Sequence, residues 1–203
     1  STPLYFRKYT MLSFSRLLIK AILIAGISTQ LTACFTATVG SATAGGVAAL
    51  DRRTAGIYVE DENIEIKAIH RIRKALGGEA HVNVTSYNLN VLLTGEAPNA
   101  EAKAEAESIT KSVKSVKNIT NEITVGFKST ISDRAKDAYL TSKIKVKFVA
   151  EKNFPANAIK VVTEAKVVYL MGIVSDREAE LATEITRTTG GVEKVVKVFE
   201  YQN

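Results

Sequence analysis

The chain carries one segment twice. Val82-Asn83-Val84-Thr85 and Leu89-Asn90-Val91-Leu92-Leu93-Thr94-Gly95 recur as Ile159-Lys160-Val161-Val162 and Lys166-Val167-Val168-Tyr169-Leu170-Met171-Gly172, 77 positions later and without a gap. After the glycines the first copy has one extra residue, so Ile109–Val125 recurs as Ile185–Tyr201 at an offset of 76. A unit of roughly 65–75 residues is large enough to close a small core of its own, unlike the short repeats of a solenoid. The chain is therefore expected to build one small domain twice.

Each copy reads in the same order. A helix opens it, Asn63–Leu76 in the first and Asp137–Ala150 in the second. Two alternating strands follow, joined by tight turns expected at Tyr87-Asn88 and Glu164-Ala165. A second helix starts at the N-cap Asn99 in copy one and places Ala102, Ala106, Ile109 and Val113 on its inner side. In copy two Ser175 and Glu178 form a capping box, with Leu181, Ala182 and Ile185 turned inward. The last strands are Ile119–Val125 and Val195–Tyr201. One stretch is ambiguous, because Ile144-Lys145-Val146-Lys147-Phe148 alternates as a strand would. The first copy decides for helix: Ile64, Ala68 and Ile72 stand at helical spacing and correspond to Leu140, Ile144 and Phe148. The fold class is α+β.

The segment before the repeat reads as an address and a tether. Arg16 and Lys20 precede the apolar run Ala21–Ile27, which is well short of the roughly 20 residues that span a bilayer. Small residues and then Leu31-Thr32-Ala33-Cys34 follow, and Cys34 is the only cysteine of the chain. That tetrapeptide resembles the lipobox of bacterial lipoproteins, in which the peptide is cut before the cysteine, the thiol receives diacylglycerol and the new amine is acylated. By this resemblance residues 1–33 are a signal peptide and Cys34 is the lipidation site. No cofactor is expected beyond these covalent acyl chains, palmitate among them. Met11–Ala33 has an ordinary signal length, which puts the natural start at Met11. Phe35, in place of an aspartate, implies delivery to the outer membrane. Residues 34–60, rich in small residues to Leu50, are expected to be a flexible tether, with domains over 61–126 and 127–203.

Charge narrows the function classes. Residues 1–33 hold Arg7, Lys8, Arg16 and Lys20 and no acid, so the net charge of +6 falls to +2 beyond them. A pI of 9.3 is therefore no sign of nucleic-acid binding. With no cysteine after Cys34, the body has no internal disulfide, thiol nucleophile or cysteine metal site.

The repeats resemble the BON domain. The carrying residues are Val91-x-Leu93-x-Gly95 and Val168-x-Leu170-x-Gly172, the helices after them, and Gly191-Val192-x-x-Val195. Copy one departs at Ser115-Val116-x-x-Ile119, where serine replaces a glycine that would supply φ > 0 cheaply. Lipobox, tether and two copies together resemble the dual-BON outer-membrane lipoproteins of Gram-negative bacteria. The resemblance implies an αββαβ fold per copy and a lipid-anchored body facing the periplasm. It also implies contact with anionic phospholipid through the first helix of copy two, and a role in outer-membrane integrity at the division site, with envelope or division-site proteins as further partners.

The charge distribution agrees with that placement. Residues 61–126 have 8 basic and 9 acidic side chains, residues 127–203 have 13 and 10. With Leu140, Ile144 and Phe148 inward, Tyr139, Ser142, Val146 and Val149 point outward at 100° per residue, flanked by Lys143 and Lys145. Apolar groups edged by cations suit an anionic membrane surface. The same face could instead pack on the other copy or be solvated, and the two copies could serve as a protein adaptor. His70 and His81 stand in no metal-ligand spacing, and no nucleophile motif or phosphate loop is present, so a non-enzyme without a metal centre is expected.

Overall fold

A computed structural model describes residues 51–202. The signal segment, Cys34 and the tether as far as Leu50 lie outside the described residues.

Copy one opens with α1 (Ala55–Leu76), whose N-cap Thr54 accepts from the Ile57 amide and whose C-cap Gly77 adopts φ +63°. The helix begins eight residues before the expected Asn63, and the tether does not extend to Glu60. The cause is Arg53. Its guanidinium donates to Asp51 (2.7 Å) and Asp61 (2.8 Å) and lies 4.9 and 4.1 Å from the ring centroids of Tyr58 and Tyr87. Residues 51–54 thus belong to the folded body.

Strands β1 (His81–Tyr87) and β2 (Asn90–Ala97) pair antiparallel. The turn falls one residue later than expected, at Asn88-Leu89, with φ +52° and +68°. Copy two repeats this at Ala165-Lys166, with φ +48° and +61°, between β5 (Ile159–Glu164) and β6 (Val167–Val174). A two-residue hairpin that matches strand twist needs φ > 0 at both centres, and of these residues only Asn88 adopts it readily. A buried aspartate from the first helix of each copy holds the turn. Asp61 accepts from the amides of Asn88 and Leu89, both 2.8 Å, and from the Ser86 hydroxyl. Asp137 accepts from Ala165 (2.8 Å) and Lys166 (2.9 Å).

Helix α2 (Ala100–Lys111) is capped by Asn99 as expected, and it returns the chain to β3 (Asn118–Asn121), parallel to β2. The expected single strand Ile119–Val125 is broken: β4 (Thr124–Val125) resumes pairing after Glu122-Ile123 turns the Ile123 side chain into the core. In copy two α3 (Ile131–Ala150) and α4 (Asp176–Arg187, with the Ser175/Glu178 capping box) flank an unbroken β7 (Lys194–Tyr201), parallel to β6. A short 3₁₀ turn, Ala156–Ala158, leads into β5. Both copies are αββαβ.

The conserved spacing of Gly95 and Gly172 between copies has a steric origin. A Cβ would lie 2.0 Å from the His81 carbonyl oxygen at Gly95, where φ is +105°, and 2.5 Å from the Ala158 carbonyl oxygen at Gly172. The neighbouring strand closes only on a bare backbone.

Each sheet buries two faces. Val91, Leu93 and Ala97 meet Ile64, Ala68 and Ile72 of α1; Val168, Leu170 and Val174 meet Leu140, Ile144 and Phe148 of α3. The alternate residues of the two sheets pack on each other, Tyr87 and Leu92 against Tyr169 and Met171. The result is helices, sheet, sheet, helices. This second seam explains why β2 and β6 are almost continuously buried. Each fully buried large side chain there contributes about 1.5–3 kcal/mol.

Candidate functional site

Helix α3 starts at Ile131, six residues earlier than the expected Asp137, after the N-cap Thr130, whose hydroxyl accepts from the Asp133 amide (3.1 Å). Its inner side is the expected one, with Leu140, Ile144 and Phe148 buried. Its outer side is open. Tyr139, Val146 and Val149 are 71%, 68% and 74% exposed, and none joins a buried apolar cluster. The extra turns add Ile131, 83% exposed and eighteen residues before Val149, which puts it on the same side at 100° per residue. Sequence reasoning missed Ile131. The signal was present in Thr130-x-x-Asp133, a hydroxyl and an acid at capping-box spacing.

The polar members of the expected site divide. Ser142 is exposed but donates to the Ala138 carbonyl of its own helix (3.0 Å). Lys143 reaches away and donates to the Gly190 carbonyl (3.0 Å), so its ammonium is anchored beside the α4–β7 connection. Lys145 is exposed and has no hydrogen-bond or ion-pair partner among the described residues. It lies with Val149 at a groove of about 400 Å³, whose other walls include Arg53, Tyr58, Tyr87 and Lys160. Two of those cations are already engaged, Arg53 by Asp51 and Asp61, and Lys160 by Glu65 (2.7 Å). The structure therefore brings Tyr139, Ser142, Lys145, Val146 and Val149 to one open surface and ties Lys143 at its margin.

A second cluster lies at the seam between the sheets. His81 and Glu96 stand opposite each other in the β1–β2 register, and Glu164 comes from the end of β5. One ligand-capable atom from each of the three lies within 4.8 Å of the others. Burial pushes the Glu164 carboxyl up, against the Asn83 hydrogen bond, and repulsion from Glu96 and Asp137 adds to the rise. Burial also lowers His81, and the nearby Arg134 charge adds to this while Glu96 opposes it. No spacing in the sequence joins these residues, because two belong to one copy and the third to the other.

At the folded edge of the tether, Arg52 grips copy two. Its two terminal nitrogens donate to both oxygens of Glu178 at 2.7 Å, and Nη1 also reaches the Ile173 carbonyl at 2.6 Å. The Arg52 hydrogen bonds hold the Glu178 carboxyl down at about 2, against its partial burial and helped by Ser175.

Among the described residues, no helix is long and apolar enough to cross a membrane. The BON domain family matches residues 61–126 and 136–203. The chain is 34% identical to the outer membrane lipoprotein DolP of Haemophilus influenzae over 90% of this chain and 95% of that protein. It is 37% identical to a 21 kDa hemolysin of Actinobacillus pleuropneumoniae over 75% of this chain and 79% of that one. Against solved structures, CdsD, a structural protein of the type III secretion system of Chlamydia trachomatis, aligns over 68% of this chain and 91% of that one. Its identity is 11% and its TM-score 0.29. Two copies of one αββαβ unit, each matched by the same family, place the chain in the BON-domain family, in its two-domain DolP type.

Proposed function

We propose that this protein is a non-enzymatic lipoprotein anchored in the outer membrane through acylated Cys34 and facing the periplasm. There the outer side of α3 binds anionic phospholipid. The observation that carries the reading is the exposed row Ile131, Tyr139, Val146 and Val149, 68–83% exposed, with the Lys145 ammonium, unpaired among the described residues, at its edge. Tyrosine and aliphatic side chains enter the headgroup boundary, while each cation near an anionic surface contributes about 1 kcal/mol. The lipobox-like Leu31–Cys34 and the similarity to an outer membrane lipoprotein support the anchor. Two acyl signals are what stable anchoring requires. Supporting outer-membrane integrity at the division site is the cellular role this reading gives the protein.

Flotation with vesicles tests it. The body beginning at Phe35 is expected to float with vesicles containing phosphatidylglycerol and not with pure phosphatidylcholine, and Val146→Glu is expected to abolish flotation. Wild-type protein that ignores both vesicles would return the two copies to the adaptor reading, in which they dock envelope proteins.

A further inference from the structure

The seam cluster poses a chemical problem that the lipid surface does not touch. Glu96 and Glu164 are only 7% and 8% exposed, yet neither forms an ion pair among the described residues. Their hydrogen bonds are few: Ser129 donates to Glu96 (3.3 Å) and Asn83 to Glu164 (2.9 Å). Arg134, at the same cavity, donates to the Ser129 carbonyl and leaves its buried Nε without a partner. Thr94, two residues before Glu96 on the same face of β2 and 1% exposed, turns a buried hydroxyl towards Glu164 but makes no well-formed hydrogen bond among the described residues. Buried carboxylates this close are normally paired with a cation or bound to a metal.

We propose that His81, Glu96 and Glu164 bind one divalent transition-metal ion, Zn²⁺ the best match, and that the ion staples the two BON copies across their seam. The donor set decides the metal class. One imidazole nitrogen with two carboxylates suits Zn²⁺ and its neighbours, whereas Mg²⁺ and Ca²⁺ prefer all-oxygen shells. Ligand atoms within 4.8 Å converge on a tetrahedral shell, with bonds of about 2.0–2.2 Å, after side-chain shifts on the order of 1 Å. The Thr94 hydroxyl or a water completes the fourth position. Asn83 supplies the outer shell, donating to Glu164 and lying 3.5 Å from His81 Nε2. A cavity of about 210 Å³, bordered by His81, Arg134, Thr141 and Glu164, gives the ion a path in. Because His81 and Glu96 belong to copy one and Glu164 to copy two, the ion joins both. Its class of role is structural.

The test is calorimetric titration of Zn²⁺ into the chelator-treated full chain in detergent, with thermal unfolding alongside. Cys34→Ser, which prevents acylation and removes the one thiol of the unprocessed chain, is included. One ion per chain is expected, with Tm rising by on the order of 5 °C at saturating metal. His81→Asn is expected to weaken binding by more than the roughly 10–100-fold that follows loss of an outer-shell partner. Glu164→Gln is expected to raise Tm without metal, by removing carboxylate repulsion, and to abolish the Zn²⁺ response. Mg²⁺ should leave both readouts unchanged. No Zn²⁺ response in the wild type would overturn the proposal. Equal binding in His81→Asn and Glu164→Gln would overturn it as adventitious surface binding.

Discussion

Replacing Arg52 with alanine removes the fork that ties the start of the folded body to copy two. Holding the Glu178 carboxyl at about 2 instead of its ordinary 4.5 corresponds to about 3 kcal/mol at most. The two side chains are 26% and 21% exposed, and Ser175 and water keep part of that stabilisation, so about 1.5–2 kcal/mol is expected at pH 7. For a body of this size that lowers Tm by about 3–8 °C. The sign with pH follows from the depressed carboxyl. Its contribution is complete above 4.5 and fades as pH falls towards 2, so wild type and Arg52→Ala should converge on acidification. The chain has no tryptophan, so urea unfolding is followed by far-ultraviolet circular dichroism at steps between pH 7 and 2. A difference under about 0.5 kcal/mol at pH 7, or one that stays constant down to pH 2, would refute the assigned role.

Other consequences are equally direct. Gly172→Ala should destabilise by about 2–3 kcal/mol in urea unfolding, since the added Cβ meets the Ala158 carbonyl at 2.5 Å. Ser115 sits at φ +74° where copy two has Gly191 at +109°, so Ser115→Gly should stabilise by about 0.5–1 kcal/mol, read as a higher urea midpoint. Asp137→Ala leaves the Ala165 and Lys166 amides of a left-handed turn without their acceptor. A loss of about 2–3 kcal/mol is expected, with faster hydrogen exchange confined to the β5–β6 hairpin.

Periodicity made the repeat, the helix order and the inner face of α3 legible, because a 3.6-residue period and a doubled pattern survive without any tertiary knowledge. The left-handed turns fall one residue later than expected, with only Asn88 marking either of them locally. Neither Asn88-Leu89 nor Ala165-Lys166 contains glycine, and the aspartates that hold them stand 27 to 29 residues earlier on a helix. The broken strand at Glu122-Ile123 was hidden for a similar reason, since its apolar residue still reaches the core. Asp51–Glu60 lacks an apolar period, and the long-range contacts of Arg52 and Arg53, together with the Thr54 cap, order it. The sheet-to-sheet seam was invisible, although Tyr169 and Met171 between Val168 and Leu170 carried its trace: a strand apolar on both faces needs two cores. His81 has no ligand spacing in the sequence, because its neighbours at the seam come partly from the other copy. Lys143 was placed on the correct side of α3, but its length lets it reach Gly190 instead of the surface.

The central claim is that the outer side of α3 meets anionic lipid. Its most direct measurement is an NMR titration of residues 35–203 with phosphatidylglycerol micelles and, separately, with zwitterionic micelles. Shifts are expected along Ile131, Tyr139, Lys145, Val146 and Val149 with the anionic lipid alone. Shifts absent from that row with the anionic lipid, or equal shifts with both lipids, would contradict it.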